Sequence, residues 1–270
     1  MPKVSPMRGR GAEEYAYFTA PFTALAHRGG ITEDAPAEVE NSLRGFVAAW
    51  AFGFTHLETD VHVTSDGTLV AFHDKVLDRV TDASGHLADL PWAEVSRARI
   101  GGSEPIPTLA ELLDALPQAR FNIDLKSPGA IEPLVATLEQ HGALDRVCVG
   151  SFHRASIAAF RRLTGGRVAT SASPVEVGVF GLVPGVRDRW PLAGQAFQMP
   201  THEPRTRLPL VTRGMIEAAH RRGAVVHVWT INDRPEMERL IELGVDGLVS
   251  DDLATLKAVL VERDLWEGHA

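Results

Sequence analysis

The sequence predicts an α/β fold: a (β/α)8 barrel of the TIM type with a small insertion after its second strand. Three observations point there. Short apolar, strand-like runs alternate with helix-patterned segments along most of the chain, the rhythm of parallel strands joined by crossover helices. These runs end at His27, Asp60, Lys126, Ser151, Ser171, Met199, Thr230 and Ser250, which makes the eight strands a barrel needs. Polar side chains gather at those ends, among them His27, Arg28, Glu58, Asp60, Asp124, Lys126 and Trp229. In a barrel, that is the face where active sites are built.

Residues 1–22 read as an arm of Pro, Gly and charge followed by Tyr15, Tyr17, Phe18 and Phe22. The aromatics are expected to pack on the body and the first dozen residues to stay disordered. Residues 23–270 read as one barrel domain. Thr23-Ala24-Leu25-Ala26 is a buried strand ending in His27-Arg28-Gly29-Gly30. A loop with Pro36 leads to Glu40-Asn41-Ser42, and Leu43, Phe46, Val47 and Trp50 then have helical spacing closed by Gly53.

Residues 55–74 are the densest stretch. His56 to Val63 alternates with period two, placing Glu58, Asp60 and His62 on one strand face. Thr64-Ser65-Asp66-Gly67 supplies turn chemistry, and Leu69-Val70-Ala71-Phe72 forms a return strand ending at His73-Asp74. That connection is too short for a parallel crossover, so this run is an excursion at the top of strand two. Pairing about Asp66-Gly67 would set Asp60 opposite His73. A polar insertion over about 75–106 follows.

Thr108 with Glu111 predicts a capping box for a helix over 109–116 that Pro117 stops. Phe121 to Lys126 is a strand with Asn122, Asp124 and Lys126 on one face. Helices over 131–141, 156–163, 212–222, 235–243 and 253–263 then alternate with the remaining strands. Residues 174–194, rich in Gly and Pro, accommodate a short helix.

The 270 residues are 44% hydrophobic and 23% charged, with a net charge of −8 that argues against nucleic acid or an anionic membrane as partner. The single cysteine, Cys148, rules out an internal disulfide and a cysteine-based zinc cluster, and its apolar run makes it a core residue. The first residues lack the apolar core of a signal peptide, and no apolar run approaches ~18 residues. A cytoplasmic protein without a stable membrane anchor is the expectation. Oligomeric state is not legible.

Two readings of the acids stand side by side. Glu58, Asp60 and Asp124, with Glu40 from the first loop, are either rim charges paired with Arg28 and Lys126 or hard oxygen ligands for Mg²⁺ or Ca²⁺. Their convergence from separate strands on one face favours the metal. His27 and His73 would sit on the same rim, where two imidazoles can divide proton uptake and delivery. Arg28 and Lys126 suit a phosphate clamp, with Gly29-Gly30 amides adding to an anion nest. Trp229 is either core or an apolar wall of the pocket. His56, His141, His153, His220 and His269 read as surface residues.

Taken together and in this order, several short motifs resemble the glycerophosphodiester phosphodiesterase family. They are His27-Arg28-Gly29, Glu40-Asn41, Glu58-Thr59-Asp60, His73-Asp74, Pro107-Thr108-Leu109, Asp124-Leu125-Lys126, Ser151-Phe152, Trp229-Thr230-Ile231-Asn232 and Asp246-Gly247. The resemblance implies a TIM barrel, a divalent cation, and cleavage of glycerophosphodiesters to glycerol 3-phosphate and an alcohol. It implies His27 and His73 as the acid/base pair and Glu58, Asp60 and Asp124 as metal ligands, with Glu40, Arg28 and Lys126 serving metal or phosphate. Two positions depart from the family: Asp124 stands where Glu is frequent, and Val39 where a proline precedes Glu-Asn. A lysophospholipase D-type substrate and a non-catalytic barrel that binds phosphorylated ligands are the alternatives.

Overall fold

The computed structural model describes residues 10–187 and 189–269. The disorder expected of the first dozen residues therefore falls mostly outside the described residues. Eight parallel strands make the barrel: β1 (Thr23–Ile31), β2 (His56–Val63), β3 (Arg120–Leu125), β4 (Val147–Gly150), β5 (Ala169–Thr170), β6 (Ala196–Met199), β7 (Val225–Val228) and β8 (Gly247–Asp252). They pair in the order β5-β4-β3-β2-β1-β8-β7-β6, and a parallel bridge from Ser171 to Ala196 joins the two ends. Helices between the strands cover the outside, so the fold is the predicted TIM barrel.

The sequence signals act locally as expected. Thr108 Oγ1 accepts from Glu111 N, and the Glu111 carboxylate returns to Thr108 N at 2.8 Å, fixing the start of the helix Leu109–Ala115. Ser42, Thr212 and Asp233 cap their helices with the one-way half of this arrangement, each side chain accepting from the amide three residues on. Leu57, Val61, Phe121, Ile123 and Val149 point outward into the helical layer as one buried core.

The barrel's lower end is closed by the arm. Tyr17 is buried with Cys148, Ala169 and Ala196, and it meets the His56 ring edge-on at 5.2 Å between centroids. Burying a ring of this size contributes about 2 kcal/mol. His56 is thus not at the surface: it is 1% exposed, with Nε2 donating to Tyr17 O at 3.2 Å. Period-two alternation points it into the barrel, a placement that its polarity alone does not reveal.

The return strand Leu69–Ala71 pairs antiparallel with β2, but Val61 lies opposite Ala71 and Val63 opposite Leu69. Phe72, rather than His73, therefore faces Asp60, with Phe72 N donating to Asp60 O at 2.9 Å. The turn is centred on Asp66, whose carboxylate takes Thr64 Oγ1 and the Trp92 amide, and this shifts the register by one. The insertion has its own small core of Val70, Phe72, Leu77, Leu87, Val95 and Ile100.

Candidate active site

At the end of β1 the chain turns through three consecutive left-handed residues: Arg28 (φ 52°), Gly29 (φ 90°) and Gly30 (φ 65°). Gly29 is obligatory twice over, since a Cβ there would also lie 2.9 Å from the Gly45 backbone. Arg28 carries a side chain in the same region, at a cost of about 1 kcal/mol or more. The turn aims the Arg28 amide at Glu58 Oε2, 3.1 Å away, and swings its guanidinium back over the barrel mouth.

Glu58, Asp60 and Asp124 meet there because β2 and β3 run in register, with Asp60 beside Asp124. Lys126 Nζ stands between them, 2.8 Å from Asp60 Oδ1 and 2.7 Å from Asp124 Oδ2. Arg28 Nε lies 3.3 Å from Asp60 Oδ2 but lacks hydrogen-bond geometry and has no other partner. Asn41 Nδ2 completes the surroundings of Asp60 at 3.3 Å.

The electrostatics divide the three acids. Burial would raise the pKa of Asp60, but Lys126 and Arg28 outweigh it and hold it below the usual carboxylate value. Burial raises Asp124 despite Lys126. Glu58 is pushed up to about 7, by burial first and by Asp60 second. Three carboxylates against two cations leave the cluster one positive charge short, and Glu58 carries that deficit.

Each expected histidine is backed by a carboxylate. His27 Nδ1 donates to Asp251 Oδ1 at 2.6 Å, leaving Nε2 facing Glu58 Oε2 at 3.9 Å. Burial lowers the His27 pKa, but the Asp251 hydrogen bond and the Glu58 charge outweigh it, so the net shift is upward. Asn232 holds Asp251 in turn. Its Nδ2 donates to Asp251 Oδ2 at 2.9 Å, while its Oδ1 accepts from Asp251 N and Ser250 Oγ. His73 Nδ1 donates to Asp74 Oδ1 at 2.6 Å, and Arg79 Nε grips Asp74 Oδ2 at 2.5 Å.

The sequence pattern by itself assigns no role to Asp251, Asn232 or Arg79. For Asp251 the available signal was its place directly after the apolar run of β8, on the rim shared with His27. Arg79 lies in the insertion, where no periodicity marks it.

Glu40 does not touch the other three acids. It joins two arginines, accepting from Arg28 Nη1 at 3.2 Å and from Arg79 Nη2 at 2.5 Å. Both of its oxygens accept from guanidinium groups, the ion-paired arrangement rather than a shared metal site with Glu58, Asp60 and Asp124. Trp229 is half-buried at the rim, edge-on to Phe152 at 6.0 Å, and Phe152 is 62% exposed. Lys126 Nζ lies 5.8 Å from the Phe152 ring, so this aromatic pair borders the charged cluster. On the other side a cleft of about 570 Å³ opens between the first loop and the insertion, lined by Glu38, Glu40, Arg79, Asp82 and Gly101.

The donor set suits a hard divalent cation: carboxylate oxygens, no thiol, and a missing positive charge. Among the described residues, no three His, Cys, Asp or Glu side chains are gathered closely enough to grip one ion as they stand. Lys126 spans two of the acids instead.

The model of the glycerophosphoryl diester phosphodiesterase family matches residues 27–255. A Mycobacterium tuberculosis protein named probable glycerophosphodiester phosphodiesterase 2 is 36% identical over 256 residues, covering 91% of this chain and 93% of that one. A human protein named lysophospholipase D is 27% identical over 266 residues, covering 84% and 82%. The structure of an Oleispira antarctica phosphodiesterase in complex with the product sn-glycerol-3-phosphate superposes with a TM-score of 0.74 at 24% identity, covering 91% and 99%. That last likeness bears on the fold.

Proposed function

The chain belongs to the glycerophosphoryl diester phosphodiesterase family, and on that premise we propose that it hydrolyses glycerophosphodiesters to glycerol 3-phosphate and an alcohol by histidine acid/base catalysis with a divalent cation. The observation that carries the mechanism is the pair of histidine–carboxylate couples at the rim of one buried acidic cluster, His27–Asp251 and His73–Asp74. Each carboxylate fixes Nδ1 as the protonated nitrogen. Nε2 of each ring is then the atom that takes up or delivers a proton.

Glu58, Asp60 and Asp124 would hold Mg²⁺ or Ca²⁺. Such an ion would supply charge stabilisation at the phosphoryl oxygens. Lys126 and Arg28 are the cations at this mouth available to a phosphate. Arg28 offers a planar fork, and Glu40 steers it from behind. One histidine accepts a proton from the attacking hydroxyl or water, and the other protonates the leaving alkoxide. Trp229 and Phe152 exclude water from one side. The cleft beside Arg79 gives the alcohol moiety room.

Glycerol 3-phosphate release from glycerophosphocholine and glycerophosphoethanolamine tests the reading, with EDTA and then with added Mg²⁺ or Ca²⁺. Release that stops with chelator and returns with metal is the expected outcome. His27→Ala and His73→Ala should each lose most turnover and keep metal binding; near-normal turnover in either refutes its role. Folded protein that is inactive on both substrates but active on lysophospholipids would move the substrate class. Inactivity on all of them would leave a phospho-ligand-binding barrel.

A further inference from the structure

The helices Pro174–Leu182 and Pro184–Arg187 break the pattern of the outer layer. Their inner face is ordinary: Phe180 is buried and packs on Phe197 of β6 at 4.7 Å between ring centroids. The outer face should be polar, as it is in the helix Arg154–Leu163 with its exposed Arg154 and Arg162. Here it is apolar instead. Val175, Leu182, Val183, Val186 and Trp190 are all exposed; Val183, Val186 and Trp190 follow one another at three and four residues, with Trp190 N donating to Val186 O at 3.0 Å, and Leu182 adjoins them at the end of the first helix. Of the eleven large apolar side chains left exposed among the described residues, five lie here.

Beside this stripe stands a hairpin that leaves the C-terminal end of β6, on the catalytic rim. A bridge between His202 and Pro209 forms its base, and Leu210 packs so tightly on Gly181 that a Cβ there would lie 2.9 Å from it. The tip carries Arg205 and Arg207, both exposed, next to the exposed Leu208. Glu203 is consumed inside the turn, accepting from the Arg205 and Thr206 amides. Residues 174–213 hold Arg187, Arg189, Arg205, Arg207 and Arg213 against Glu176, Asp188 and Glu203, a local excess of positive charge in a chain of net charge −8.

We propose that this face, the apolar stripe of the two helices with the arginine-tipped hairpin, docks on an anionic lipid surface. The pieces match what a bilayer boundary rewards. Val and Leu side chains enter the acyl margin, a tryptophan sits at headgroup depth, and guanidinium groups meet lipid phosphates. A nucleic acid would use the arginines and leave the apolar stripe in water. Docking this way sets the barrel mouth next to the membrane, since the hairpin and the catalytic side chains share one rim. The overall negative charge keeps the rest of the surface away and so orients the molecule. The inference goes beyond the proposed hydrolysis and does not depend on it.

The test is co-sedimentation of the full chain with vesicles of phosphatidylcholine alone and of phosphatidylcholine mixed with phosphatidylglycerol. Binding to the mixed vesicles, weakened by salt and nearly absent from the neutral ones, is expected. The double variant Arg205→Glu/Arg207→Glu should lose roughly tenfold or more in partitioning. Leu182→Ser/Val186→Ser should lose a comparable factor. Both should keep the wild-type circular-dichroism spectrum and thermal melt, which shows that they are folded. Absence of binding to anionic vesicles, equal binding to neutral ones, or full binding by both variants overturns the proposal. So does a stable dimer that Leu182→Ser/Val186→Ser dissociates, because a second copy then covers the stripe.

Discussion

Asp251→Asn should disable His27 while leaving every heavy atom nearly in place. Asn232 fixes how the new amide must lie. Its Oδ1 already accepts two donors, Asp251 N at 2.9 Å and Ser250 Oγ at 3.0 Å, so its Nδ2 must point at residue 251. A carboxylate accepts there with either oxygen. An amide must turn its oxygen to Asn232, and its NH₂ group then faces His27 Nδ1. Two donors cannot share that 2.6 Å contact, so Nδ1 must lose its proton and the ring must carry it on Nε2, toward Glu58. The imidazolium form, which needs both nitrogens protonated, loses its charged partner.

A hydrogen bond to a charged group is worth about 1.5–3 kcal/mol. If that stabilisation serves the reacting state, kcat falls roughly 10- to 150-fold. Steady-state turnover of glycerophosphocholine gives kcat and KM separately. KM should change little, because Asp251 holds the ring and no substrate atom. Nitrogen chemical shifts of His27 should report the exchanged tautomer. A kcat within about threefold of wild type, with the tautomer exchanged, would refute the assignment of His27 Nε2 as the proton-carrying atom.

Three further outcomes follow from the same geometry. Arg79→Ala frees both Asp74 and Glu40; since the pairs are partly exposed, the loss should be about 1 kcal/mol in kcat/KM, or roughly fivefold. Arg79→Lys should recover only part of it, as measured with the same assay. His227 is fully buried, with Nδ1 facing Gln198 Nε2 at 3.5 Å, and burial lowers its pKa from 6.5 to about 3. Above pH 6.5 it is neutral folded and unfolded and contributes no pH dependence. Below that value the unfolded chain takes the proton and the folded one refuses it, so stability falls between pH 6.5 and about 3. At pH 5 the loss is about 2 kcal/mol. Urea unfolding of wild type and His227→Gln at pH 8 and pH 5 should show the variant losing about 2 kcal/mol less over that interval; equal losses would sink the reasoning.

The barrel was readable because each strand announces itself twice, by its apolar run and by the helix pattern that follows. The acidic cluster was readable too, since alternation along β2 forces Glu58 and Asp60 to one face and the βα order brings Asp124 to the same rim. The residues behind the histidines were less so. Asp74 adjoins His73 in sequence, but Asp251 reaches His27 across 224 positions, and only closure of β8 onto β1 brings them together. Arg79 reaches Glu40 because the insertion folds back over the first loop, and no local pattern encodes that.

What the sequence determined alone is whatever depends on neighbours within a few residues: strand faces, the Thr108–Glu111 cap, the left-handed turn that Gly29-Gly30 permits, and the order of the motifs. Tertiary structure decided which charges share a space. It set Asp60 opposite Phe72, because Asp66 anchors the turn to Trp92. It made His56 an interior residue under the arm, with its ring on Tyr17. It gave Glu40 to two arginines and left Glu58 with the charge deficit. Pairing and burial are properties of three-dimensional proximity, and Coulomb and desolvation energies depend on distances that a linear chain leaves open until the barrel closes.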